Sequence, residues 1–375
     1  MIRLDRIVLR EIRLPLREPF RISSGEWRDR RILLCELFDA DGASVWSESV
    51  VDDAPNYSPE TIDTAWPTLV RFLAPRLLGR AIEAPGEVHG ILAEDVRGHN
   101  MAKAAVEMGC WALAATKQGL PLARLLGGTR KEIATGISLG IQKDPETLIE
   151  KARAAVELGY KKVKIKIGPG RDVEWVTAVR RALGSGAHLM ADANNAYTLD
   201  DADHLAKLDD LGLMMIEQPL AHDDIIHHAT LQARLRTPLC LDESITSLER
   251  AQEMESLRAG RIINIKPGRV GGFAQSLAIH DFCEEKGIPV WCGGMLESGI
   301  GRAYNVALAS LSNFTLPGDL SPSARYWTQD VVTPEWTMDR DGMVRVPLDA
   351  PGIGVEVDRD RIDALTVRTE EVRAR

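Results

Sequence analysis

The sequence predicts an α/β fold: a (β/α)7β barrel, a modified TIM barrel, that carries an α+β capping domain. Three observations predict it. Three strand patterns and then three helical patterns fill the N-terminal third. From residue 133 onward, short apolar runs alternate strictly with helical patterns, which implies a parallel sheet. Polar residues then recur at the ends of successive strands, 24 to 26 residues apart. The boundaries that follow are a capping domain over 1–130, the barrel over 131–320, and a segment over 321–375 that returns to the capping domain.

The capping domain begins with strands over 2–14, 31–38 and 43–51, a meander whose second turn is Asp39-Ala40-Asp41-Gly42. A long loop over 17–30 holds Pro19, Phe20, Ser23, Ser24, Gly25 and Trp27. A helix is expected from Ser58 as N-cap and Pro59 in the first turn to residue 79. Others are expected over 85–98 and 100–119, the last with Met101, Ala105, Met108 and Ala112 on one core-facing stripe. Barrel strands are expected over 133–141, 161–167, 188–194, 213–218, 238–243, 262–266, 289–292 and 314–319. The helices between them fall over 144–159, 171–183, 199–211, 225–235, 248–259, 273–286 and 298–312. An eighth helix is missing, and a hairpin over 336–346 turns at Asp339-Arg340-Asp341-Gly342.

Composition narrows the class. The chain of 375 residues is 45% hydrophobic, enough for a sizeable core. A formal charge of −9 argues against nucleic acid and anionic membranes as partners. No signal-peptide pattern opens it, and no run approaches the roughly 18 apolar residues of a membrane span. Cys35, Cys110, Cys240, Cys283 and Cys292 are scattered without a Cys-x-x-Cys pair, so reduced thiols in a cytoplasmic protein are expected.

A barrel of this kind works at the C-terminal ends of its strands. Those ends carry Lys166, Asp192, Glu217, Asp242 and Lys266, three carboxylates between two lysines. Three carboxylates from adjacent strands make a hard oxygen site for Mg²⁺, with Mn²⁺ or another divalent cation as a substitute. Two lysines on opposite sides of such a site suit removal of a proton from one face of a carbon and its return to the other. That carbon lies α to a carboxylate, and the charge of the resulting enediolate is stabilised by the cation. A free lysine, pKa about 10.4, is a poor base at neutral pH. Lys164 beside Lys166, and Arg269 three residues after Lys266, are expected to lower their neighbours' pKa values. Ser138 and Asn194 at other strand ends, and the backbone of Gly293-Gly294-Met295, are candidate contacts for a small carboxylate substrate.

Three further motifs are weaker. His222, His227 and His228 cluster where a helix opens, and a solvated surface explains them. Gly168-Pro169-Gly170-Arg171 lacks the P-loop pattern. Gly268, Gly271 and Gly272 lack the G-x-G-x-x-G spacing.

Taken together, Lys164-Ile165-Lys166, Asp192-Ala193-Asn194, Glu217-Gln218-Pro219, Asp242-Glu243-Ser244 and Asn264-Ile265-Lys266 resemble the enolase superfamily, in its muconate-lactonizing subgroup. Gly293-Gly294-Met295-Leu296-Glu297-Ser298-Gly299-Ile300-Gly301-Arg302 and Leu316-Pro317-Gly318-Asp319 are similar to the N-succinylamino acid racemase/o-succinylbenzoate synthase family. The resemblance covers nearly the whole chain; Val45-Trp46-Ser47-Glu48 departs from the family's Gly-Trp-Gly-Glu. It implies that Lys166 and Lys266 exchange the α-proton in racemization. In the dehydration that forms o-succinylbenzoate, a step of menaquinone biosynthesis, it implies that Lys166 acts while Lys266 stabilises the enediolate. The segment with Phe20 would cover the substrate, and a homo-oligomer is implied by analogy. A dipeptide epimerase and a muconate-type cycloisomerase are the neighbouring enzyme readings. The single Asp319, where epimerases have Asp-x-Asp, counts against the first. A catalytically dead metal-binding scaffold is the reading from another class, and the intact set of five strand-end residues opposes it.

Overall fold

The computed structural model describes residues 1–22 and 25–374; Ser23 and Ser24, expected in the 17–30 loop, lie outside them. Four antiparallel strands form the capping sheet: β1 (Leu4–Ile22), β2 (Gly25–Asp39), β3 (Ser44–Ser49) and, from far along the chain, β15 (Thr366–Arg373), in the order β15-β1-β2-β3. Strand β1 buries Leu4, Ile7, Leu9, Ile12 and Leu14. The expected loop over 17–30 is instead a paired arm. Pro15 lies opposite Asp29 and Phe20 opposite Trp27, with a register shift between them. Pro15 and Pro19 flank that shift, where a missing N–H is tolerated.

The first helix starts later than expected. Ile62–Thr68 is opened by Thr61 in a capping box with Thr64, while the Ser58 hydroxyl accepts from Glu60 N at 3.1 Å. The segment expected as one helix over 85–98 has a 3₁₀ turn, Pro85–Glu87, and a short helix, Val88–Ala93. Asn100–Lys117 is the long helix, almost wholly buried. Buried Glu60 accepts from Met101 N (2.8 Å) and Ala102 N (3.0 Å) at its start.

The second sheet is parallel and seven-stranded, in the order β11-β10-β9-β8-β7-β6-β5. Strand β4 (Glu132–Ala134) precedes it. Its members are β5 (Ile137–Leu139), β6 (Val163–Lys166), β7 (Leu189–Asp192), β8 (Ile216–Glu217), β9 (Leu239–Leu241), β10 (Ile262–Ile265) and β11 (Val290–Cys292). The strand expected over 133–141 is therefore two, with Thr135 and Gly136 between them. Strand β4 pairs away from the sheet, with β13 (Met343–Arg345).

The expected eighth strand, 314–319, is irregular. Pro317 has no N–H to give a ladder. The segment still bonds both sheet edges: Gly136 N donates to Gly318 O (2.7 Å) and Asp319 N to Cys292 O (2.9 Å). The helix expected over 199–211 is a run of short turns, Leu199–Asp201, Ala202–Leu205 and Ala206–Leu211. The turn at Asp339 exists, but its arms do not pair as a hairpin. Met343–Arg345 joins β4, and β12 (Val332–Thr333) pairs with β14 (Glu356–Val357).

Side chains alternate across a strand. Two residues before the predicted strand-end groups stand Lys164, Met190, Met215, Cys240, Asn264 and, before Gly293, Trp291, all on the same face of the sheet. Met190, Met215, Cys240, Ile262 and Trp291 form a small apolar cluster of their own beneath the polar ends.

Candidate active site

Each strand-end group reaches its place because its strand stops there. Asp192 and Glu217 are the last residues of β7 and β8; Asp242 and Lys266 directly follow β9 and β10. The three carboxylates are buried, at 1%, 0% and 1% exposure. Lys166 donates to Asp192 Oδ2 (2.5 Å) and Asn194 Oδ1 (2.7 Å). Lys164 lies 3.2 Å from Asp192 Oδ2, 3.1 Å from Glu217 Oε2 and 2.5 Å from Asp319 Oδ2. Lys266 donates to Asp242 Oδ2 (2.8 Å) and to the Tyr57 hydroxyl (3.2 Å). Asn264 donates to Glu217 Oε1 at 2.7 Å.

The loop after β7 holds Asn194 and Asn195 at φ of 42° and 64°, a left-handed region that asparagine tolerates better than most residues. Both amides donate to Glu243 Oε1 at 3.2 Å. Glu243 Oε2 and Asn195 Oδ1 are buried without a hydrogen-bond partner.

Charge follows these contacts. Burial opposes the charge on Lys164, but Asp319, Glu217 and Asp192 outweigh it and hold the ammonium well above the usual lysine range. Lys266 is likewise held up against burial, by Asp242 foremost. Arg269 does not bond Lys266. It bonds Asp242, the Tyr57 hydroxyl (3.2 Å), Ile245 O (2.7 Å) and Asn264 O, so it reaches Lys266 through Asp242 and Tyr57. Asp192 is held low: burial opposes its charge, and Lys166 and Lys164 overcome that. Glu217 is pushed up to about 8 by burial and then by Asp192.

A cavity lies over these groups. Of the predicted residues, Phe20, Lys166, Asn194, Lys266, Gly294 and Met295 line it. Ser138 does not; it is buried and its hydroxyl has no hydrogen-bond partner. Gly293 does not either. A Cβ there would stand 2.6 Å from Lys266 Cε, so glycine is what lets the loop pack against that lysine. Trp27, Asp52, Tyr57 and Leu296 also line the cavity. Trp27 stands in the sequence reading only as part of a loop and Leu296 only within the family motif, while Asp52 and Tyr57 lie in a segment without periodicity.

The donor chemistry of Asp192, Glu217 and Asp242 fits a hard divalent cation: three buried carboxylates on consecutive strands, with unpartnered Glu243 Oε2 close by in sequence and charge. Among the described residues, the one group that brings three donor atoms within 4.8 Å of each other is elsewhere, His280, Asp281 and Glu284. There the imidazole is already used: Nε2 accepts from Asn313 N (3.0 Å) and Nδ1 bonds Asp281 (2.8 Å). The histidine cluster after β8 also resolves. His228 is buried, not solvated, and accepts from Leu220 N at 3.2 Å. Among the described residues no helix is long and apolar enough to cross a membrane.

Comparison with known proteins gives matches along nearly all of the chain. Residues 5–127 match the mandelate racemase / muconate lactonizing enzyme N-terminal domain, and residues 147–361 the enolase C-terminal domain-like family. The chain is 48% identical over 365 residues to an o-succinylbenzoate synthase of Geobacillus kaustophilus, covering 97% of this chain and 96% of the relative. It is 44% identical to an N-succinylamino acid racemase of Thermus thermophilus, covering 97% and 98%. A crystal structure of an enolase-superfamily protein from Listeria innocua superposes with a TM-score of 0.96 at 38% identity, covering 100% of both chains.

Proposed function

The chain belongs to the mandelate racemase / muconate lactonizing enzyme family of the enolase superfamily, and we propose on that premise that it abstracts a proton α to a carboxylate. Its substrates on this reading are N-succinylamino acids, which it racemizes, the cyclohexadiene precursor of o-succinylbenzoate, which it dehydrates, or both. The observation that carries the reading is that Lys166 and Lys266 open on one cavity, with Asp192, Glu217 and Asp242 on the strands between them. We read the curled sheet as a (β/α)7β barrel, with 314–319 standing where its eighth strand would close it.

Asp192, Glu217 and Asp242 would hold a divalent cation, Mg²⁺ first, which when bound supplies a Lewis acid for the negative charge that develops on the substrate carboxylate. The rest falls to the chain's own side chains. In racemization one lysine takes the α-proton at its Nζ and the other delivers a proton to the opposite face. In dehydration Lys166 first takes the proton and then returns one to the leaving hydroxyl, while Lys266 stays cationic beside the enediolate. Lys164, held charged by Asp319, Glu217 and Asp192, adds fixed positive charge to the same face. Phe20 and Trp27 from the arm, with Met295 and Leu296 opposite, line the cavity with apolar surface that excludes water. Asp319 argues against a dipeptide epimerase: it is buried in ion pairs with Lys162 and Lys164 and does not line the cavity where a substrate amino terminus would sit.

The test is exchange in D₂O with Mg²⁺ and a panel of N-succinylamino acids, followed by NMR at the α-hydrogen, with o-succinylbenzoate formation followed in parallel. The wild type is expected to exchange the α-hydrogen of both enantiomers. Lys166→Ala and Lys266→Ala are each expected to abolish racemization, a loss of about 10²–10⁴ in kcat, while each retains exchange from the opposite enantiomer. Exchange of both enantiomers by both variants would rule out the two-base reading.

A further inference from the structure

Lys162 directly precedes β6, two residues before Lys164 and four before Lys166, and the extended backbone there continues the alternation, so three lysines follow one another on one face. The reaction proposed above uses the latter two. Lys162 has a side-chain exposure of 0%, with Nζ 3.1 Å from Asp319 Oδ1 and 3.5 Å from the centroid of the Trp291 ring. The other oxygen of Asp319 lies 2.5 Å from Lys164 Nζ. One carboxylate is thus divided between two ammonium groups. One of those, Lys164, is in turn divided among three carboxylates, of which Asp192 and Glu217 are candidate cation ligands. A buried ion pair is poor value as packing, because apolar groups of the same volume commonly stabilise a core as well.

We propose that the Lys162–Asp319 pair sets how much of the Lys164 charge falls on Asp192 and Glu217, and so sets the affinity of that carboxylate group for a divalent cation. Both are positioning residues, acting through Lys164. The inference rests on reading Asp192, Glu217 and Asp242 as cation ligands. Asp319 draws the Lys164 ammonium off the two ligands, and Lys162 keeps Asp319 from claiming that ammonium whole. Without Asp319, Lys164 turns entirely to Asp192 and Glu217 and competes with the cation. Without Lys162, Asp319 holds Lys164 more tightly and leaves the ligands more negative. The two partners of one ion pair therefore act with opposite sign, whereas a pair that served packing alone would weaken binding whichever member was lost.

The experiment is titration of the full chain with Mn²⁺, free ion read by EPR, and with Mg²⁺ in competition. Asp319→Asn is expected to weaken binding about tenfold and Lys162→Met to tighten it about threefold, the scale of one charge moved near a partly screened site. The double variant removes both buried charges together, so it keeps the fold if a single variant does not, and it is expected to bind more weakly than wild type. Both single variants shifting the same way, neither shifting, or a folded double variant with wild-type affinity would overturn the proposal. A wild type that binds no Mn²⁺ would instead overturn the ligand assignment, and this inference with it.

Discussion

The two halves of the parallel sheet are held in different ways. Strands β5 to β8 and their helices share an apolar cluster that runs from Ile137 to Leu239, the first residue of β9. Leu241, Ile263, Ile265 and Val290 of β9 to β11 belong to the cluster that also fills the capping sheet and the helix Asn100–Lys117. Buried carboxylates bind this second half further. Glu107 accepts from Phe273 N (2.7 Å), Ala274 N (2.9 Å) and Trp111 Nε1 (2.9 Å); Glu48 accepts from Ser298 Oγ (2.6 Å) and Gly301 N (3.1 Å). Each opens a helix that belongs to the other region of the molecule. The first half meets the capping sheet along the arm, where Ile141 N donates to Arg21 O at 2.8 Å and Lys151 pairs with Glu18 at 2.8 Å. Lys166 belongs to the first half and Lys266 to the second. On the reading proposed above, the two bases are thus mounted on halves of one sheet whose outer packing differs, and their separation depends on how those halves join.

The sharpest way to break the comparison is at the firmer joint. Glu107→Ala strands one buried and two half-buried donors, and denaturant unfolding should show a loss of about 2–4 kcal/mol. An equal loss from Glu18→Ala at the exposed arm contact would deny the difference between the halves. The lighter joint is tested at Gly140. A Cβ there would stand 2.7 Å from Arg21 O, so Gly140→Ala should pry the arm from the first half. Steady-state kinetics should then show KM raised several-fold, on the order of 1 kcal/mol of lost cover, with stability close to wild type. The smallest effect is in pH. Burial pushes the Glu48 carboxyl up to about 8, so over the range from ordinary carboxylate values to about 8 the folded state binds more protons than the unfolded one. Stability from this group is fully present below the unfolded pKa and falls as pH rises through the folded one. Glu48→Gln should flatten that part of the stability–pH curve, measured by thermal unfolding in matched buffers.

The second sheet was legible because its polar strand ends recur once per βα unit, a period no surface pattern produces by chance. The arm was not. Pro19, Ser23, Ser24 and Gly25 read as loop signals, while pairing over Phe20 and Trp27 is decided by the register of a partner strand. Tyr57 and Asp52 come from a segment with neither helical nor strand period, and only tertiary packing brings them over Lys266. Lys162 was legible in principle. The alternation that puts Lys164 beside Lys166 puts Lys162 on the same face, but its partner Asp319 lies on an irregular segment whose position no pattern encodes. The 336–346 hairpin was not legible, because Met343–Arg345 pairs with β4, far earlier in the chain; 314–319 meets both sheet edges as an eighth strand would, but without a regular ladder.

Strand β15 completes the capping sheet, and its Thr369 bonds Leu9 O across 360 residues of chain. During synthesis on the ribosome, β1 therefore exists for most of that interval with an open edge. At roughly 5–20 residues per second this amounts to tens of seconds. The charged side chains that β1 carries along that edge, Arg6, Arg10 and Glu11, are the kind that discourages a premature neighbour. In the nascent chain the same residues would act as a guard on the strand until its proper partner emerges.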